Sequence, residues 1–156
     1  MIDLRADIIP YNSIGNIIIG NNISDYIEEM YAKYNVVSES FTLLDGTERI
    51  VFSLNDIIKI TTLSSETIVA ISCNEQYHGF YKNKLSTGLS MIEIVKLTSR
   101  QRIFYGHLII DDEFGLAFIL PTPYDEIADS IKDIPCNLTL NEIYVSDFSV
   151  WNLKTN

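Results

Sequence analysis

The sequence predicts an α+β fold: a single domain, mostly antiparallel sheet, with about three helices. Three observations predict it. Hydrophobic spacing switches between the helical and the two-residue period near Asn22, Ser90 and Tyr124. Turn-forming pairs such as Asp45-Gly46 separate short runs rich in β-branched and aromatic residues. A helix-start signature also occurs twice. Gly20-Asn21-Asn22-Ile23-Ser24-Asp25-Tyr26-Ile27 lies over Gly88-Leu89-Ser90-Met91-Ile92-Glu93-Ile94-Val95 without a gap. In each copy a glycine stands two residues before an N-cap residue, Asn22 or Ser90. An acid follows at the third helical position, Asp25 or Glu93. The cap side chain accepts from an unpaired backbone N–H, and the carboxylate reaches back to the cap. Asp25 gives the looser box, being shorter than the usual Glu or Gln. The repeat predicts two related halves, 14–75 and 78–150, each led by a strand and a capped helix.

Taken in order, Asn22 to Tyr34 reads as an amphipathic helix with Ile23, Ile27, Met30, Tyr31 and Tyr34 on one stripe. Phe41 to Leu44 and Thr47 to Leu54 form a hairpin around Asp45-Gly46, a pair suited to a two-residue type I′ turn. On its second arm Ile50, Phe52 and Leu54 share one face, opposite Arg49, Val51 and Ser53. Ile57 to Thr62 and Thr67 to Cys73 are further strands, separated by Ser64-Ser65. Ser90 to Thr98 is a short helix. Arg102 to Ile110 and Phe114 to Leu120 form a second hairpin around Asp111-Asp112-Glu113. Pro121-Thr122-Pro123 ends that arm, since proline cannot donate to a ladder. Tyr124 to Lys132 reads as a third helix with Ile127, Ala128 and Ile131 inward, and Glu142 to Phe148 as the last strand.

Length and composition narrow the function classes. The 156 residues fit one domain, and 47% hydrophobic with 21% charged residues is ordinary for a folded protein. No apolar run reaches the roughly 18 residues needed to span a bilayer. The N-terminus carries acids where a signal peptide carries lysines, so a cytoplasmic protein is expected. The net charge of −10 argues against nucleic acid or an anionic membrane as main partner, because both need a cationic surface. It suits either plain solubility or steering onto a basic protein.

Chemical motifs are sparse. Cys73 and Cys136 give neither a disulfide framework nor metal spacing and read as small buried hydrophobes. A Cys–His nucleophile built on His107 has no local signature, and a satisfied structural histidine is the plainer reading. Gly15 to Gly20 has the outer spacing of a P-loop, but Asn21 and Asn22 follow where Lys and Ser or Thr are required. No cofactor or metal is expected. Carboxylate pairs are numerous, so acid/base hydrolysis stays open as a third choice. The acidic clusters are the better lead. Asp111, Asp112 and Glu113 crowd one predicted hairpin tip. Asp125, Glu126 and Asp129 follow on a short helix with Tyr124 at its start. Solvated surface explains each acid singly. Together, acids beside tyrosine describe a surface for Lys- and Arg-rich proteins. Glu28 and Glu29 on the first helix are the competing acidic face.

Three segments, in order, resemble small bacterial immunity proteins, including those of contact-dependent growth inhibition systems. They are Gly15-Asn16-Ile17-Ile18-Ile19-Gly20 leading into Asn22-Ile23-Ser24-Asp25, Tyr77-His78-Gly79-Phe80-Tyr81 leading into Gly88-Leu89-Ser90, and Gly115-Leu116-Ala117-Phe118 followed by Glu142-Ile143-Tyr144-Val145. The segment Pro121 to Asn137 is longer than that pattern holds between its last two strands. The resemblance implies a cytoplasmic, non-catalytic protein that neutralises a cognate toxin domain, often a basic nuclease, by covering its active or substrate-binding surface. An adaptor or structural domain binding an endogenous protein is the alternative.

Overall fold

The computed structural model describes residues 1–152, and its frame is one eight-stranded antiparallel sheet. The first half supplies β1 (Ser13–Ile14), β2 (Ile17–Ile18), α1 (Ser24–Lys33), β3 (Val36–Thr42), β4 (Glu48–Leu54), β5 (Ile58–Leu63) and β6 (Ile68–Cys73). The second supplies β7 (Leu89–Ser90), α2 (Met91–Leu97), β8 (Gln101–Phe104), β9 (His107–Ile110), β10 (Leu116–Ile119), α3 (Tyr124–Ile127), β11 (Thr139–Leu140) and β12 (Ile143–Val145). Among the described residues the chain is therefore a single α+β domain with three α-helices, and its large sheet has the order β3-β4-β5-β6-β12-β10-β9-β8. Two 3-10 turns, Ile131–Asp133 and Ser149–Trp151, complete it.

Alternation along the strands divides the sheet into two faces. Leu54, Ile58, Ile60, Ile71, Ile143, Val145, Phe118 and Leu108 point to the inner face and join Ile23, Met30, Met91 and Ile94 in one core. Each fully buried side chain of this kind contributes roughly 1.5–3 kcal/mol. Ile109 and Ala117 point to the outer face.

The two meanders match across the centre. β6 pairs with β12 as Ile71↔Val145, Ser72↔Tyr144 and Cys73↔Ile143, a register symmetric about the Ser72–Tyr144 pair. Both helix starts dock alike. Gly20 N–H donates to Ile68 O and Ile23 N–H to Glu66 O; Gly88 N–H donates to Leu140 O and Met91 N–H to Leu138 O. Gly20 and Gly88 share positive φ, +95° and +87°, a region open to glycine at little cost. The caps differ. Ser90 and Glu93 form the full capping box, whereas α1 has no side-chain cap and Asn22 Oδ1 instead accepts from Ser24 N. The first box, expected to be only looser, does not form: Asn22 Oδ1 is taken by Ser24 N, and the N-cap of α1 falls at Ile23. Tyr31 is 57% exposed and leaves the expected stripe, while Ile23 and Met30 are buried.

Four local expectations need correction. The Asp45-Gly46 hairpin is not type I′: only Gly46 has positive φ, Leu43 N–H bonds to Thr47 O, and Gly46 N–H bonds to Leu43 O. That is a three-residue loop with a glycine bulge. Two-residue turns with both φ positive fall instead at Asn55-Asp56, Tyr105-Gly106 and Asp111-Asp112. The expected strand Arg102 to Ile110 is thus broken into β8 and β9, because Tyr105-Gly106 takes up the turn. α3 ends at Ile127 rather than Lys132. Asp133 accepts from Asp129 N and Ser130 N, and Ser130 Oγ accepts from Lys132 N. These local bonds compete with the helix and close a separate 3-10 turn. Ile127 is left 61% exposed. Cys136 is exposed; only Cys73 is buried.

Candidate protein-docking surface

The sheet's outer face is treated differently in its two halves. Over the second half, Phe104, Ile109, Phe114 and Ala117 are sealed by Phe148 and Trp151 from the C-terminal turn. Trp151 stacks on Phe104 at 5.5 Å and on Phe148 at 5.4 Å, both near-parallel. His107 packs at a tilt against Trp151, 5.2 Å between centroids, with Nδ1 at 2.9 Å from Tyr105 O. The Arg102 guanidinium lies over Phe104 and Phe114 and pairs with Asp112 at 3.2 Å.

Over the first half the face stays open. A groove of about 930 Å³ runs across β3 to β6, lined by Val37, Glu39, Phe41, Val51, Thr61 and Ala70, with Tyr144 at its inner end. Val37 and Phe41 are 52% and 43% exposed. Glu39, Asp56 and Lys59 are its charged groups. Burial pushes the Tyr144 phenol up, Glu142 adds to that, and Ser72 opposes it. The neighbouring Glu142 carboxyl is raised by desolvation, against the pull of Lys59.

The acids singled out from sequence do not form one surface. Asp111 Oδ1 accepts from Ser99 N at 2.6 Å and Arg100 N at 3.0 Å. Asp112 pairs with Arg100 at 3.1 Å as well as with Arg102. Glu113 accepts from Gly115 N. These three sit at one end of β9. Asp125, Glu126 and Asp129 sit at its other end, around a hollow that includes Tyr105. Tyr124 is half-buried against the core and does not stand out as an anchor, whereas Tyr105 is 85% exposed. On the competing face, Glu29 accepts from Ile2 N through both oxygens and pairs with Lys33, so it ties down the N-terminal segment. Glu28 is exposed.

Cys73 and His107 lie on opposite faces of the sheet. Cys73 lies on the inner face with its thiol pushed up to about 12, chiefly by burial, which leaves no nucleophilic thiolate at neutral pH. His107 is on the outer face. Among the described residues, no group of three or more His, Cys, Asp or Glu is arranged to hold a metal ion.

Sequence reasoning missed Tyr105 and the groove. Ser38-Glu39-Ser40 reads as polar, so β3 seemed to begin only at Phe41. The available signal was the two-residue spacing of Val37, Glu39 and Phe41. Comparison with family models, curated protein sequences and solved structures gives no match to this chain. No described helix is long and apolar enough to cross a membrane.

Proposed function

We propose that this chain acts by binding, as an immunity-type protein that neutralises a basic toxin domain in the cytoplasm of the cell that makes it. The observation that carries the reading is the open half of the outer face. One half of the sheet is sealed by the chain's own aromatic residues, and the other leaves Val37 and Phe41 uncovered around a groove. Exposed apolar side chains rimmed by charge are the composition of a protein interface. The net charge of −10 supplies long-range attraction for a cationic partner and speeds its association. Carboxylate hydrolysis draws no support from Asp111 or Asp112, whose oxygens are engaged by backbone N–H groups and arginines.

The reading expects a toxin-encoding reading frame directly beside this gene, and the test uses the product of that neighbouring frame. Its purified catalytic domain is titrated with the full chain, and toxin activity and association rate are followed at two salt concentrations. Stoichiometric inhibition, with association slowed by salt, is the expected result. A neighbour that this chain neither binds nor inhibits overturns the toxin reading in favour of an adaptor for an endogenous protein.

A further inference from the structure

We infer that the outer edge of β3 is a strand-docking site for an extended segment of a partner protein carrying a lysine or arginine between two apolar residues. The inference rests on the binding reading above and names the surface and the chemistry of its partner.

β3 ends the eight-strand order, and Val37 to Thr42 are all exposed. Its ladder with β4 is continuous from Val36↔Leu54 to Thr42↔Glu48. Leu43 N–H bonds to Thr47 O at one end of the ladder, and Asn55 N–H to Asn35 O at the other. Hydrogen-bonded and non-hydrogen-bonded pairs alternate along an antiparallel ladder. Val37, Glu39 and Phe41 therefore bond inward to β4, while Ser38 and Ser40 turn N–H and C=O away from the sheet. The opposite edge is unlike this one: β8 has four residues and is packed by the turn at Ile131–Asp133.

An unpaired edge is a template for another strand. The side chains on the outer face decide which. An added strand sets one residue beside Glu39, with its neighbours two positions away beside Val37 and Phe41. Cross-strand pairs then favour a cation in the middle and apolar groups on either side. The intervening residues fall beside Ser38 and Ser40 and suit small polar side chains. A second copy of this chain fits poorly: pairing centred on Glu39 opposes two carboxylates, and shifting it sets Glu39 against Val37 or Phe41. Glu39 thus guards the edge against self-pairing and selects a basic partner. An apolar–polar–basic–polar–apolar strand also carries its outer residues onto the mouth of the groove.

The full chain is titrated with the blocked peptides TVTKTVT and TVTETVT, and amide exchange is read residue by residue. At peptide about tenfold above its Kd, TVTKTVT should slow exchange at Ser38 and Ser40 by about tenfold, and TVTETVT should leave it unchanged. Glu39→Lys should exchange the two preferences. Absence of protection at the highest soluble peptide concentration overturns the inference, as does protection that grows with protein concentration alone, which would make a second copy the occupant. Ser40→Pro removes one outward donor without touching a β4 bond, and its circular dichroism reports whether it folds. If wild type inhibits the neighbouring toxin and both Ser40→Pro and Glu39→Lys inhibit it equally well, the toxin reading stands and this surface is wrong. If TVTKTVT docks on β3 but the toxin is not bound, the surface stands and the toxin reading falls.

Discussion

Ser72 faces Tyr144 at the centre of the sheet, and the pairing of β6 with β12 is symmetric about them. Each half reaches this centre from an edge, as a helix followed by four strands of the sheet: β3 to β6 in the first, and β8, β9, β10 and, after α3 and β11, β12 in the second. The match extends to single hydrogen bonds far from the centre. Asn55 and Asp111 each open a turn with both φ positive, and each side-chain oxygen accepts from the backbone N–H leading into the edge strand, Asn35 N at 2.7 Å and Arg100 N at 3.0 Å. Each also donates its own N–H to that residue's carbonyl. Asp111 and Asn55 are one device with two side chains.

Asp111→Asn should therefore leave thermal stability nearly unchanged, because the amide oxygen can take over the carboxylate's bonds. Asp111→Ala should lose about 1 kcal/mol, the usual scale for a side-chain acceptor that satisfies backbone donors. Chemical denaturation of both variants measures the difference. An alanine variant as stable as the asparagine one would mean that Asp111 is only surface charge.

Glu66 occupies the place in the β5–β6 loop that Gly46 occupies in the β3–β4 loop. Leu63 N–H bonds to Thr67 O and Glu66 N–H to Leu63 O, with Glu66 φ at +72° and Gly46 φ at +86°. A left-handed residue with a side chain costs about 1–2 kcal/mol. Glu66→Gly should raise stability by up to about 1 kcal/mol, and Gly46→Ala should lower it by a similar amount. Denaturant midpoints of the two variants check both signs.

The large features were legible because they rest on local patterning. The Ser90–Glu93 box, the starts of α1 and α2, and the alternation of Ile50, Phe52 and Leu54 are all written in neighbouring residues. What escaped depends on distant contacts. Tyr105-Gly106 turns the chain inside an apolar run because β8 and β9 pair, and Gly106 is the one local signal of it. Asp112 looked like a free acid because Arg100 and Arg102, its partners, lie ten or more residues away. The outer groove was illegible for a related reason. Its contrast with the other half arises because Phe148 and Trp151 fold over that half of the sheet.

Stability should also depend on the Glu29 anchor. Desolvation raises its pKa, but the Ile2 N–H bonds and Lys33 outweigh that, and the carboxyl sits below its ordinary 4.5. A lowered folded-state pKa stabilises above the unfolded value, and the effect is lost as pH falls through the folded one. Wild type should therefore exceed Glu29→Gln in thermal midpoint at neutral pH, and the gap should close as pH drops below about 4.5. A gap that is constant with pH would exclude the charge as its source.

The single tryptophan reports directly on the sealed half of the outer face. Trp151 lies between Phe104 and Phe148, and Phe104 reaches it from β8 on the sheet itself. Phe104→Ala removes one wall of that stack along with the ring under Arg102. Trp151 should move toward water, with red-shifted emission and easier quenching by iodide. Beyond lost area, an aromatic pair contributes about 0.5–1.5 kcal/mol, so stability should fall by at least that much. Tyr105→Ala is the control, since Tyr105 is 85% exposed and meets Trp151 only at a tilt, 6.1 Å between centroids. It should change neither emission nor stability appreciably. If Phe104→Ala leaves the emission in place, the C-terminal turn is held by something other than this stack, and the contrast between the covered and open halves loses its physical basis.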